Sequence, residues 1–436
     1  MDQRDALGKE AGGPPGALIL GGAHGSLAVA RSLGRRGIPV WFVTSDHPIA
    51  SYSRHVARSF HWRGPNHADA LSALLEFAAK NGLQGWVLFA GGDAEVQFVA
   101  RAHKALSTLF TLAMPAWETI RWAFDKRLIH EHAASVGVHS PWSLYPESAA
   151  QLDAAAGRFP LILKPTLRTQ RNAFTNAKAW RADSAKELQR LYERAIALVG
   201  SKGVAIQELI AGGGEAQFSY AGLWDRGAPI ASLVARRTRQ FPLQFGYTST
   251  FVETLEENEV EKAACRFLAA LRYSGVVEIE FKYDARDGRY KLLDVNPRVW
   301  TWIALGAAAG VDFPFLHWQL ALGQSPAPVR AAAGRSWMFA ARDFLAALQL
   351  MAGGRLALSD YAKCWRRPAA FAAAAADDPF PGFLDTPLAA ARVFRRCFSA
   401  CLGREDSAAA PSIRGRRWGS AVIGAALASL TQLLPF

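Results

Sequence analysis

Apolar and polar positions alternate with two different periods along this chain, and the change of period marks its organisation. Near the N-terminus short apolar runs, Ala17-Leu-Ile-Leu20 and Val40-Trp-Phe-Val43, flank a segment with helical spacing from Ser26 to Arg36, closed by Gly37. Strand, helix and strand in that order predict a βαβ unit with parallel strands. Trp86-Val-Leu-Phe-Ala90, followed by Gly91-Gly92-Asp93 and a helical pattern to about Leu106, begins another unit. Residues 15–115 therefore read as a small doubly wound α/β domain.

From Trp117 onward the pattern changes. A helix is predicted over Trp117–Val136, with Asp125-Lys126 in its middle, and a strand over Leu161–Pro165 with Lys164 near its end. An amphipathic helix follows over Ser184–Val199, then a strand over Val204–Ile210 that closes on Gln207-Glu208-Leu209-Ile210. After the loop Gly212-Gly213-Gly214, strands are expected over Phe218–Leu223 and Ile230–Arg237. A helix over Glu256–Leu271, a hairpin, and a helix over Trp300–Ala309 complete the segment. Strands with helices before and between them give an α+β domain over 116–325. Beyond 326 alanine dominates, and a basic, mainly helical region is expected through 436. Residues 1–14 are polar and glycine-rich, lack a signal-peptide pattern, and are expected to be disordered.

The richest chemistry lies in the hairpin Gly275–Arg298. Side chains alternate across a strand, so Glu278 and Glu280 share one face, as do Asp294 and Asn296. Ile279, Phe281, Leu293 and Val295 supply the apolar reverse. A three-residue loop, Arg286-Asp287-Gly288, sets Glu280 opposite Asp294 and Glu278 opposite Asn296. Three carboxylates and an amide oxygen then converge, with Arg298 just beyond. Hard oxygen ligands that leave room for phosphate oxygens are what Mg²⁺ takes in nucleotide sites. The plain alternative is a solvated acidic sheet face.

Charge and cysteine content narrow the class. The net charge is +13, and residues 331–436 hold thirteen Lys+Arg against seven Asp+Glu. That excess favours anionic partners without choosing among them. No zinc cluster or RNA-binding signature is present, so no nucleic-acid partner is expected. Cys265, Cys364, Cys397 and Cys401 have no paired spacing, which fits a reduced, cytoplasmic protein. Trp418–Phe436 carries no charged side chain and follows Arg414-Gly-Arg-Arg417. Packing against the protein is the preferred reading of that segment, with peripheral membrane contact through 414–436 the alternative.

In order, the candidates are lysine, lysine, a strand ending in Glu, a Gly-rich loop with Glu, an acidic hairpin, and Asn-Pro-Arg. In this order the chain resembles the ATP-grasp superfamily over residues 15–325, nearest its predicted carboxylate–amine ligases, a branch that includes D-aspartate ligase-like proteins. The resemblance implies an α/β domain, an ATP-grasp domain, and the cofactors ATP and Mg²⁺ (or Mn²⁺). It implies that Glu280, Asp294 and Asn296 hold the metal, and that Arg298 lies beside the transferred phosphate. Lys126 and Lys164 match the phosphate-binding lysines, Gln207, Glu208, Leu209 and Ile210 the adenine hinge, and Glu215 the ribose-binding acid. Arg298 and Lys164 are then the catalytic candidates. Arg237 and Arg239, in a basic run ending before Phe241-Pro242, are candidates for gripping an acceptor carboxylate, or for a solvated strand end.

One departure from the pattern stands out. Where relatives carry a glycine-rich flap, this chain reads Pro165-Thr-Leu-Arg-Thr-Gln-Arg-Asn-Ala-Phe174, and Arg168, Thr169, Arg171 and Asn172 would have to grip phosphate by side chains. The expected activity is ATP- and Mg-dependent joining of a small-molecule carboxylate to an amine through an acyl phosphate. A nucleotide-binding regulatory protein without turnover is the main rival. A nicotinamide-dependent oxidoreductase, read from Gly21-Gly22-Ala23-His24-Gly25 with Asp46 further on, is the second. Biotin-type carboxylation lacks a carrier-lysine motif in this chain. His24 and Asp93, in glycine-rich loops after strands, are read first as structural turn residues, with contact to an acceptor the alternative.

Overall fold

The computed structural model describes residues 14–166, 172–177, 179–243 and 248–402, without the side chains of 392–402. The expectations for residues 1–13, for Arg168, Thr169 and Arg171, for Cys397 and Cys401, and for Arg414–Phe436 fall outside what is described.

Three sheets organise the described chain. The first is parallel, from β1 (Ala17–Leu20), β2 (Val40–Thr44), β3 (Arg58–His61), β4 (Val87–Ala90) and β5 (Thr111–Leu112), in the order β3-β2-β1-β4-β5. The strand order reverses between β1 and β4, which opens a crevice at their C-terminal ends. Gly21 and Gly22 leave β1 with φ of 61° and 76°, a left-handed turn that a Cβ would oppose.

The second sheet is small: β6 (Ser143–Leu144), β7 (Leu161–Pro165), β8 (Trp180–Ala182) and β9 (Val204–Glu208), in the order β6-β9-β7-β8. Helix Ala185–Val199 covers it. Its N-terminus is capped by the Ser184 side chain accepting from the Glu187 N–H, while Glu187 accepts from Asp183 N–H. Leu188, Leu191, Tyr192 and Ala195 form its buried face and pack with Leu161, Leu163 and Ile206 into a core of their own.

The third sheet carries the hairpin. It runs β14-β13-β10-β11-β12-β16-β17, from β10 (Gln217–Asp225), β11 (Ala228–Phe241), β12 (Thr248–Leu255), β13 (Gly275–Asp284), β14 (Arg289–Asn296), β16 (Ser336–Met338) and β17 (Pro368–Phe371), with β15 (Val329–Arg330) on β11. Two cores join this sheet to the first: Ile279, Phe281 and Phe267 pack in the same cluster as Leu18 and Leu88, and Ala221, Leu223 and Trp337 in the same cluster as Ile19 and Phe89.

Four expectations need correcting. The stretch after 326 holds the helices Ala340–Ala352, Leu358–Cys364 and Phe380–Leu402, but it also contributes β15, β16 and β17, which the sequence pattern missed, to the large sheet, because Ser336–Met338 is buried and pairs with β12. The helix expected over Trp117–Val136 is broken. A turn at Arg121–Phe124 precedes Asp125, whose extended backbone and carboxylate cap a new helix, Lys126–Ser135. Lys126 therefore opens a helix and is not within one. The helix expected over Trp300–Ala309 shrinks to Ala304–Ala308, since Trp300 and Trp302 are wedged into the core first. The hairpin loop has four residues, Ala285–Gly288, because the last pair is Asp284 with Arg289. The expected register at the acids still holds, Glu280 against Asp294 and Glu278 against Asn296, since a bulge at Leu293 restores the phase. That bulge removes Leu293 from the apolar face and sets it in the wall of the cleft beside the acids.

Candidate functional site

The hairpin's acids do not have equivalent surroundings. Glu278 is 3% exposed and receives four donors, Ser219 Oγ at 3.0 Å, Arg237 Nη2 at 3.1 Å, Trp302 Nε1 at 3.1 Å and Asn296 Nδ2 at 3.4 Å. A carboxylate held by that many donors is an orienting group. Glu280 lies one period on and accepts from Arg237 Nη2 at 2.8 Å and Asn296 Nδ2 at 3.3 Å. Arg237 reaches both glutamates from β11 past β10, where the intervening Ser219 is small. Burial works against the Arg237 charge, but Glu280 and Glu278 outweigh it and hold its pKa above the usual value. Asp294 accepts from Lys126 Nζ at 2.9 Å. The Asn296 amide oxygen accepts from Arg298 Nη2 at 3.4 Å.

The structure thus brings Glu280, Asp294, Asn296, Lys126 and Arg298 together at the end of the hairpin. On the facing wall Lys164 donates to Gln207 Oε1 at 2.7 Å, and Gln207 is itself steadied by Ser143. Lys164 and Glu208 to Ile210 on one side, with Glu280, Leu293 and Asp294 on the other, enclose a cleft of about 600 Å³ counted to its open mouth. The N–H groups of Glu208 and Leu209 are bonded to the carbonyls of Trp142 and Pro160. The Ile210 N–H has no hydrogen-bond partner among the described residues. The Glu208 carboxylate ties this segment to the hairpin, accepting from Trp142 N–H, Lys291 Nζ at 3.0 Å and Arg286 Nη2 at 2.8 Å. Burial alone would raise its pKa, and those donors lower it. Glu215 is exposed beside the same cleft and accepts from Gly213 N–H at 2.7 Å.

A second, wider cleft opens on the other side of Asp294 and Asn296. Lys126 and Thr166 form one rim, and Asp93, Gln97 and Arg101 of the helix Asp93–Arg101 form the other. Asp93 accepts from Arg298 Nε, which joins the hairpin's end to the first sheet.

Several residues in or near these clefts are not among the sequence candidates. Lys282 follows Glu280 at period two, lines the cleft and donates to Gly212 O at 2.7 Å. Burial lowers its pKa. The alternation that sets Glu278 and Glu280 on one face extends to it directly. His130 donates to or accepts from Tyr145 Oη at 2.9 Å; burial and then the charges of Lys126 and Lys164 push its pKa down to about 4, so it is neutral at pH 7. Glu95 carries no sequence signal beyond an acid in the first turn of a helix. Its carboxylate lies against Gly21 and Gly92, where an added Cβ would meet it at 2.3 and 2.5 Å, in the crevice between β1 and β4. It is 9% exposed, and burial and then Asp93 and Asp46 raise its pKa to about 7.

Three other sequence candidates are engaged within the fold. Arg239 is buried and grips Asp343 through Nε and Nη2, both at 2.9 Å. Its neighbour Arg237 is equally buried on the glutamates. His24 is buried against Asp385 at 2.8 Å.

Metal fit follows from the donor set. Among the described residues no three His, Cys, Asp or Glu side chains close on one point. Glu280, Asp294 and Asn296 offer two carboxylates and one amide oxygen on the seam between the clefts. Mg²⁺ is bound in nucleotide sites by one or two carboxylates plus phosphate oxygens, so this incomplete set fits a metal brought by a nucleotide.

Comparison with known proteins bears on the whole arrangement. A family model described as "ATP-grasp in the biosynthetic pathway with Ter operon" matches residues 226–338, the span that contains the hairpin. Over those residues the chain is similar to this ATP-grasp family. Solved structures of several enzymes share its fold. The biotin carboxylase domain of the Hydrogenobacter thermophilus 2-oxoglutarate carboxylase, in complex with MgADP, ADP and bicarbonate, aligns with a TM-score of 0.58 at 15% identity, over 73% of each chain. The L-amino acid ligase of Bacillus licheniformis aligns with a TM-score of 0.55 at 16% identity, over 75% of this chain and 79% of that one. The N5-carboxyaminoimidazole synthetase of Staphylococcus aureus complexed with ADP gives 0.56 at 13%, over 74% and 80%. No curated protein matches the chain significantly. No described helix is long and apolar enough to cross a membrane.

Proposed function

We propose that this ATP-grasp protein is an ADP-forming ligase that joins a carboxylate to an amine through an acyl phosphate. The observation that carries the reading is the seam at Asp294. This carboxylate faces both clefts, is paired with Lys126 at 2.9 Å, and has Glu280 and Asn296 beside it.

In this reading ATP enters the cleft between the small sheet and the hairpin. The Glu208 carbonyl and the Ile210 N–H read adenine, and Glu215 takes the ribose hydroxyls. Lys126 and Lys164 bind the phosphates as compact cations. Glu280, Asp294 and Asn296 would hold Mg²⁺ (or Mn²⁺), which when bound offsets the charge of the β- and γ-phosphates. Glu278 and Arg237 act by fixing the positions of Glu280 and Asn296. A carboxylate oxygen of the substrate attacks the γ-phosphorus, the bond to the β-phosphate oxygen breaks, and ADP leaves. Lys164 and Arg298 stabilise the charge on the transferred phosphoryl group. The acceptor amine then attacks the acyl carbon, the carbon–oxygen bond to phosphate breaks, and the nitrogen gives up a proton. Glu95 is the carboxylate suited to take it, since a group titrating near 7 can accept a proton at neutral pH.

The nicotinamide reading is disfavoured by the same crevice. A pyrophosphate at Gly21-Gly22 would meet the Glu95 carboxylate there.

The test is a screen of carboxylate and amine pools for release of ADP and phosphate, with mass detection of the amide. The expected result is a pair that drives both, and loss of both in Asp294→Ala. Turnover unchanged in Asp294→Ala would overturn the reading.

A further inference from the structure

The helix Ala340–Ala352 presents its faces the wrong way round for a soluble surface. Its buried positions are Asp343, Ala346 and Ala347, two of them small and one charged. Its outward positions are Phe344, Leu345 and Leu348, which are 49%, 42% and 45% exposed. A helix packed by hydrophobic burial alone would turn the other way. Asp343 fixes the orientation. It is fully buried, takes two hydrogen bonds from Arg239 at 2.9 Å, and accepts from Thr250 Oγ1 at 2.8 Å. Turning the helix would strand Arg239 as an uncompensated buried cation.

The next helix, Leu358–Cys364, packs on the same arginine and carries exposed apolar side chains of its own. Cys364 Sγ is 3.6 Å from Arg239 Nη1, so both helices meet the same guanidinium. Leu358 is 70% exposed and Trp365 43%. Basic residues accompany them. Residues 340–367 contain Arg342, Arg355, Lys363, Arg366 and Arg367; Lys363 pairs with Asp360 and Arg367 with Glu253, and Asp343 is consumed inside by Arg239. Aliphatic side chains, a tryptophan and a surplus of positive charge on one face are what an anionic bilayer surface binds.

We propose that the face formed by Phe344, Leu345, Leu348, Leu358 and Trp365, with its flanking arginines, docks on an anionic lipid surface. A protein partner would need a complementary acidic and apolar patch, whereas a headgroup layer offers both to any such face. The chain's end carries a second feature of the same kind in sequence, Arg414-Gly-Arg-Arg417 ahead of nineteen residues without a charged side chain.

The experiment is sedimentation of the full chain with phosphatidylcholine vesicles and with mixed phosphatidylcholine–phosphatidylglycerol vesicles. The expected result is binding to the mixed vesicles only, weakened by added salt. The pair Phe344→Ser and Leu348→Ser, and separately Arg355→Glu with Arg366→Glu, should each reduce partition by about tenfold or more while melting as the parent does. A full-length variant with Arg414, Arg416 and Arg417 changed to Glu separates the tail's contribution. Binding lost only in that tail variant overturns the proposal, as does absence of binding to either vesicle. Light scattering without lipid gives the remaining outcome. If the face variants abolish a dimer and leave vesicle binding intact, the face joins copies of this chain and the proposal fails. A lower melting point in Phe344→Ser/Leu348→Ser with unchanged vesicle binding means that the face is covered by the protein itself, and the proposal fails there too.

Discussion

Glu278 and Glu95 are both carboxylates removed from water, and their surroundings differ in kind. Glu278 is enclosed by Ser219, Arg237, Trp302 and Asn296, so its desolvation is offset by donors and by a guanidinium. Glu95 receives no hydrogen bond from another residue among those described, apart from that of its own amide, and has two acids among its nearest charges. The first makes a rigid scaffold for the neighbouring Glu280 and Asn296. The second keeps an electrostatic cost, only partly offset by its own amide and Arg298, in the crevice where β1 and β4 diverge. Burial by itself does not mark a reactive carboxylate; burial without donors does.

The widest way to separate the two regions is to remove the shared centre. Asp294→Ala should lower substrate-dependent ADP release by roughly a thousandfold or more, the scale expected for removing charge stabilisation at a phosphoryl-transfer site. Circular dichroism and melting should stay close to the parent, since Asp294 is partly exposed. Next is Glu278→Ala. It leaves Arg237 buried with one carboxylate in place of two, and urea unfolding should show a loss of about 3 kcal/mol.

Glu95→Gln should do the opposite, and in a pH-dependent way. The folded pKa is raised from 4.5 to about 7, so the native state holds the proton more tightly than the unfolded chain. The stabilisation from that proton is complete below about 4.5 and is lost as pH rises through 7. At about 1.4 kcal/mol per pH unit over that interval, the glutamine variant should gain up to roughly 3 kcal/mol on the parent at pH 8, and little at pH 5. Equal gains at both pH values would refute the burial argument. In turnover the same variant should still release ADP slowly but form amide poorly. The smallest effect is expected at the hinge. Glu208→Gln keeps the Trp142 contact and weakens those of Lys291 and Arg286, so KM for ATP should rise by about threefold to tenfold, with kcat little changed.

Legibility in the sequence differs by region. The alternation of acids on β13 and β14 is enough to find the site face and the pairing of Glu280 with Asp294, because strand periodicity is a local property. The loop is one residue longer than its composition suggests, and a bulge that no local pattern announces compensates for it. The break before Lys126 depends on Asp125 acting as a cap. That residue type signals a helix start, but here it sits inside a longer run of helical spacing that hides it. Arg237 and Arg239 look like an exposed basic run because their partners, Glu278 and Asp343, lie 41 and 104 residues away. Glu95 is invisible for the same reason. What distinguishes it is two glycine turns contributed by separate strands, and that is a tertiary fact.

One surplus residue, Leu293, decides which side of the sheet is the wet one. With a four-residue loop, an unbroken ladder would match Glu280 with Leu293 and Glu278 with Val295, and would send Asp294 and Asn296 toward the apolar core. The kink therefore works like a frameshift, returning the second half of β14 to the phase its chemistry requires. A hairpin that ironed it out could keep nearly every backbone bond, yet it would hide its oxygens and show nucleotide a wall of hydrocarbon.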